Sequence, residues 1–164
     1  MSIVLYRVDE RLIHGQVVVG WGTQLKPDAI VVVDDALAES AWEQELYTLG
    51  LPGTLDARFE TVAQAREHLP AWRAAPDRIM VLTRDVASMR RLGQDGFLKG
   101  EEINIGGLHH AAGRRSVLPY VFLSDDEAQE LVALSEQGAV ISARDLPGSR
   151  RVDLDALLKN NRHS

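Results

Sequence analysis

Two short runs in this chain, Ile30-Val-Val-Val33 and Ile79-Met-Val-Leu82, are apolar at every position. A strand with one wet face alternates apolar and polar residues, so a strand that is apolar throughout must be covered on both faces. Helices packed on the two sides of a parallel sheet meet that requirement. Further short apolar segments at 3–8, 58–61, 102–105, 117–122 and 139–142 alternate with longer amphipathic ones at 15–24, 36–49, 62–74, 86–94, 125–137 and 154–160. This alternation predicts an α/β fold: one domain over 1–164, with a doubly wound, mostly parallel sheet of about seven strands and helices on both faces. Thr61 with Gln64 and Ser124 with Glu127 have capping-box spacing, and Gly138 stands where the fifth helix should stop.

A chain of 164 residues can bury a sizeable core within one domain. It has no cysteine, which excludes a disulfide framework and a thiolate metal site. A net charge of −6 argues against a basic nucleic-acid-binding surface. No apolar stretch approaches a membrane span and no signal-peptide pattern opens the sequence. A reducing cytoplasm is compatible with this composition.

The densest chemistry lies where the first strand ends, in Arg7-Val-Asp-Glu-Arg11-Leu-Ile-His14-Gly-Gln16-Val. A histidine beside an apolar run is more often a packed residue than a reactive one. Here, however, Gly15 follows it with no side chain to obstruct an anion, and Gly15-Gln-Val-Val-Val-Gly-Trp21 opens a helix. Free N–H groups at a helix start hold phosphate. Arg11 can act as a bidentate fork and Arg7 can add charge, with Gly15 and Gln16 supplying backbone donors. Asp9 can hold an arginine, or hydrogen-bond the imidazole so that one ring nitrogen is left free. His14 is therefore the candidate phosphoryl carrier, with Arg11 and Asp9 as its catalytic partners.

In doubly wound sheets, sites gather beyond the carboxyl ends of strands. Asp34-Asp35 follow the second strand, Thr83-Arg84-Asp85 the fourth, and Gly106-Gly107-Leu-His109-His110 the fifth. Asp35, Arg84 and His109 are thus expected on a docking rim around His14. Gly106 and Gly107 are expected to permit close packing against the His14 loop. Adjacent His109 and His110 lack a diagnostic ligand spacing, so no metal site is assigned. There is no dinucleotide fingerprint and no nucleotide phosphate loop with its lysine. Trp21, Trp42 and Trp72 read as packing residues, with Trp21 alone placed near the site.

The block from Arg7 to Val17 closely resembles the signature of the IIB component of the mannose/fructose/sorbose family of the sugar phosphotransferase system. Val31-Val-Val-Asp34-Asp35, Ile103-Asn-Ile-Gly106-Gly107-Leu with Gly113-Arg114-Arg115, and Gly138-Ala-Val-Ile-Ser-Ala-Arg-Asp-Leu-Pro147 fit the same family, so the resemblance spans nearly the whole chain. It implies a cytoplasmic protein-N(pi)-phosphohistidine-sugar phosphotransferase, peripheral to the membrane through partners only. His14 would accept a phosphoryl group on Nδ1 from a IIA phosphohistidine and pass it to a sugar held by membrane IIC/IID components. It implies no cofactor, and a homodimer is compatible with it. The alternative is a regulatory IIB-like module uncoupled from sugar transport.

Overall fold

A computed structural model describes residues 2–163. Seven strands form one sheet in the order β3-β2-β4-β1-β5-β8-β9. They are β1 (Ile3–Val8), β2 (Ala29–Val33), β3 (Asp56–Glu60), β4 (Ile79–Thr83), β5 (Glu102–Ile105), β8 (Val140–Ala143) and β9 (Val152–Asp153). All neighbours run parallel except β9, which pairs antiparallel with β8. The continuously apolar runs in β2 and β4 are buried at every residue, as strands enclosed on both faces must be.

Each face carries its own core. One packs Tyr6, Val8, Val31, Val81, Ile103 and Ile141 under α3 (Val62–Ala74), α4 (Val86–Leu92), α5 (Asp125–Glu136) and α6 (Leu154–His163). The other packs Ile30, Val32, Met80 and Leu82 under Val17 and Trp21, with Tyr47 of α2 (Ala41–Thr48) at its edge. The segment following β1 therefore covers one face, while the helices following β4 and β5 cover the other. That reversal puts the carboxyl end of β1 at the topological switch point, where open α/β sheets bind ligands.

The expected strand at 117–122 is instead a hairpin of β6 (Arg114–Leu118) and β7 (Val121–Ser124), which forms a separate two-stranded sheet. Pro119, at the turn, has no N–H and a fixed φ, so the apolar run cannot continue as one ladder strand. The seventh strand of the main sheet is β9, too short to stand out in the sequence. The expected helix at 15–24 is π-helical over Gln16–Trp21 and continues as α1 (Gly22–Leu25). The expected helix at 36–49 breaks at Ser40 (φ −118°, ψ 88°) into a short 3-10 turn, Leu37–Glu39, and α2. Both expected capping boxes are formed, and Gly138 takes φ +99°.

Candidate active site

The loop after β1 is tied down by its neighbours. The Asp9 N–H donates to the Thr83 carbonyl (3.0 Å) and the Glu10 N–H to the Gly107 carbonyl (2.9 Å), fixing the turn to the ends of β4 and β5. Leu12, fully buried, adopts φ 55°. A left-handed leucine costs about 1–2 kcal/mol, which its packing into the second core offsets. The residues that follow lead the chain back over the sheet edge and present His14.

Asp9 is the centre of the arrangement. Its carboxylate is fully buried and receives the Arg7 guanidinium (Nη2, 3.1 Å), the Arg11 guanidinium (Nε, 3.0 Å; Nη2, 3.0 Å), the Gly107 N–H (3.2 Å) and His14 Nε2 (3.3 Å). The sequence offered two roles for Asp9, holding an arginine or orienting the imidazole. The structure gives it both, and gives it both arginines. Burial alone would raise its pKa, but the hydrogen bonds from His14 and Arg11 and the charge of Arg7 outweigh burial and hold the carboxyl well below the ordinary range. Asp9 is therefore an acceptor only, so the His14 nitrogen facing it carries the ring proton. The other ring nitrogen, Nδ1, then has a lone pair, which accepts from the Gln16 N–H at 3.3 Å.

The Val17 and Val18 N–H groups both close on the His14 carbonyl, at 3.1 and 2.9 Å. They are thus not among the free donors of this turn. Gly15 is exposed, and a Cβ built on it would meet nothing within 4 Å. Packing does not require glycine there.

Arg7 departs from its expected place. It is fully buried, and besides Asp9 it donates to the Asn104 side chain, to the Arg144 carbonyl (2.8 Å) and to the Asp145 carbonyl (3.1 Å). Its guanidinium also lies 5.2 Å from the Trp21 ring, whose Nε1 donates to the Asp145 carbonyl. Arg7 thus lies beneath the loop, where it supports Asp9, and does not face solvent as a phosphate-binding arginine would. Arg11 is the exposed member of the pair, with a third of its side chain accessible.

The two glycines after β5 make room for these arginines. A Cβ at Gly106 would sit 2.3 Å from Arg7 Nη2, and one at Gly107 2.9 Å from Arg11 Nη2. Asn104 and the Arg144-Asp145 carbonyls escaped the sequence reading. Asn104 between the buried Ile103 and Ile105 was the available signal, since a buried amide needs a partner.

The rim residues come to the same edge of the sheet with local attachments of their own. Asp35 accepts from the Val62 N–H (2.8 Å) and pairs with Arg91 (3.0 Å), so it ties down the start of α3. Arg84 lies 3.5 Å from Asp34, which itself accepts from the Leu37 N–H. His109 is exposed and pairs with Glu10 (2.6 Å), which also meets Arg114. His110 packs edge-on against Phe122. Among the described residues, no group of three or more acidic or histidine side chains is placed to hold a metal ion.

The family model for the sorbose-subfamily IIB component of the phosphotransferase system matches residues 3–164. The chain belongs to this family. It is 30% identical over 158 residues to N-acetylgalactosamine-specific phosphotransferase enzyme IIB component 2 of Escherichia coli, covering 96% of this chain and 99% of that one. The crystal structure of the N-acetylgalactosamine-specific IIB component 1 from Escherichia coli, 28% identical, superposes with a TM-score of 0.80 over 92% of this chain and 98% of that one. The mannose-specific EIIAB component of Escherichia coli is 28% identical over 144 residues; the match covers 88% of this chain but 44% of that longer protein. The family places this IIB chain in sugar phosphotransfer, alongside IIA and membrane IIC/IID components. Among the described residues, no helix is long and apolar enough to cross a membrane.

Proposed function

We propose that His14 is the phosphoryl carrier, accepting from a IIA phosphohistidine and donating to a sugar presented by the membrane components. The observation that carries this reading is the pair of contacts on the His14 ring, Nε2 against the Asp9 carboxylate and Nδ1 beside the Gln16 N–H, which supports a proton on Nε2 and a lone pair on Nδ1. The Nδ1 lone pair attacks phosphorus as the donor's N–P bond breaks, and the donor imidazole leaves. His14 becomes a phosphoimidazolium whose Nε2 proton stays on the hydrogen bond to Asp9. As phosphorus moves onto Nδ1, the Gln16 N–H loses that acceptor and can turn to a phosphoryl oxygen. Arg11, anchored to Asp9 but accessible, meets the equatorial oxygens. Gly15 leaves the approach open.

In the second step a sugar hydroxyl attacks phosphorus and the N–P bond breaks. The leaving group is neutral imidazole with its Nε2 proton still in place, so this chain need neither supply nor remove a proton. The hydroxyl proton is taken on the sugar's side. A phosphoimidazole is reactive enough that positioning and charge suffice. The activity is that of a protein-N(pi)-phosphohistidine-sugar phosphotransferase in the cytoplasm, with sugar selectivity placed in the membrane components. The test is incubation with phosphoenolpyruvate, the general phosphotransferase proteins and a IIA component. Acid-labile phosphate should appear on the wild type and be absent from a folded His14→Ala variant; a label on any other histidine would refute the assignment.

A further inference from the structure

Helix α2 turns one apolar stripe to solvent. Trp42, Leu46 and Leu49 fall at i, i+4 and i+7, on one helix face, and are 66%, 58% and 80% exposed. A helix of a free-standing domain buries its apolar face; here Tyr47 is packed inward while a second apolar face is left out. The stripe is continuous with the site. Leu46, Tyr47, Gly50 and Leu51 form one wall of a cavity of about 310 Å³, and Ile13, His14, Gly15, Val18 and Val19 form the other. Val19, on the π-helix, is a further exposed apolar residue at its mouth. Acidic residues edge the stripe: Glu39, Glu43 and Glu45 lie on or just before α2.

We infer that this stripe and cavity are the docking surface for the phosphohistidine donor, a protein that brings an apolar side chain edged by basic residues beside its own histidine. The inference rests on the assignment of His14 as acceptor. The chemistry of the cavity selects the donor over the sugar step. A sugar needs a wall of hydrogen-bonding groups, and apart from His14 and the Tyr47 hydroxyl these side chains offer none. An apolar side chain flanking a partner's histidine fits such a wall, and its burial would bring the two imidazoles to one phosphorus. The acidic edge suits a basic counterpart and disfavours acidic surfaces. The charged rim of Arg84, Asp35 and His109 then lies beside this contact, not at its centre.

Trp42 reports the contact directly, because Trp21 and Trp72 are buried and Trp42 is not. A phosphorylated IIA component that labels the wild-type protein should shield Trp42 from acrylamide quenching. Trp42→Ala and Leu49→Asp, both at exposed positions, should raise the IIA concentration for half-maximal His14 labelling about tenfold or more. Labelling by phosphoramidate, a donor with no protein surface, should be unchanged. Unaltered labelling by IIA would overturn the inference, as would a loss confined to transfer onto sugar in IIC/IID vesicles. If neither IIA nor phosphoramidate labels wild-type His14, it is the assignment of His14 that fails.

Discussion

At the scale of single residues, Asp9 decides most of what the site can do. One carboxylate sets the ring tautomer, anchors the exposed arginine and neutralises the buried one. Asp9→Asn leaves Arg7 buried with its charge uncompensated, and should destabilise the fold by about 3 kcal/mol in urea denaturation near neutral pH. The pH dependence follows from the direction of the shift. The folded carboxyl titrates below its unfolded value, so its stabilisation is complete above about pH 4 and is lost as pH falls further. The stability gap between wild type and Asp9→Asn should stay constant from about pH 8 to 5 and narrow steadily below about 4; a gap unchanged at pH 3 would refute the pairing. Arg11→Lys keeps the charge but loses the planar fork. Transfer through His14 should slow more than about tenfold, equivalent to about 1.4 kcal/mol of barrier. An unchanged single-turnover rate would leave Arg11 without a role at the phosphate. The His14 block itself was legible because every residue in it lies within one short turn. Arg7 was misplaced because its surroundings are not local: Asn104, Arg144 and Asp145 are supplied by β5 and the end of β8.

Among the elements, the turn after β5 separates support from chemistry. A Cβ at Gly106 would strike Arg7, whose guanidinium is buried and held on several sides. Gly106→Ala should therefore cost about 1–3 kcal/mol in thermal or urea unfolding. A Cβ at Gly107 meets the end of Arg11, which can swing into solvent. Gly107→Ala should lose less than about 1 kcal/mol of stability while slowing His14 phosphorylation. Equal effects of the two substitutions on stability and rate would contradict the division. The sequence reading anticipated close packing of these glycines against the His14 loop, and the glycine pair does contact it through the arginines. It could not foresee the π-helical turn at Gln16–Trp21. Valines at 17, 18 and 19 suit either helix type, and the Trp21 contact with the Asp145 carbonyl at the end of this turn is supplied from far along the chain. The capping boxes were readable because their partners are three residues apart.

For the whole molecule, the apolar runs in β2 and β4 gave away the two-faced sheet, and the strand–helix alternation its winding. What stayed hidden was which short segment completed the sheet. The hairpin at Pro119 has the stronger β composition, yet β9, of two residues, takes the edge through its pairing with β8. Stability should be distributed accordingly. Amides of the central β1 and β4, such as Tyr6 and Val81, should exchange with deuterium far more slowly than those of the edge strand β9. Val152 exchanging as slowly as Val81 would mean that the sheet order misstates the core.

The clustering of Arg7, Arg11 and Asp9 has a further consequence, visible once charges are counted. Two guanidinium groups and one carboxylate leave this cluster at +1 while His14 is neutral. Because His14 keeps its Nε2 proton, the phosphoryl dianion is carried on an imidazolium, and loading changes the local charge by about −1, to about zero. Loading thus cancels the net charge of the cluster, so a neighbour meets a different face in each of the two states. A surface set against the cluster in one state meets a charge changed by one unit in the other, which favours exchange of partners after each transfer. Turnover in both directions of the relay would then need no moving part.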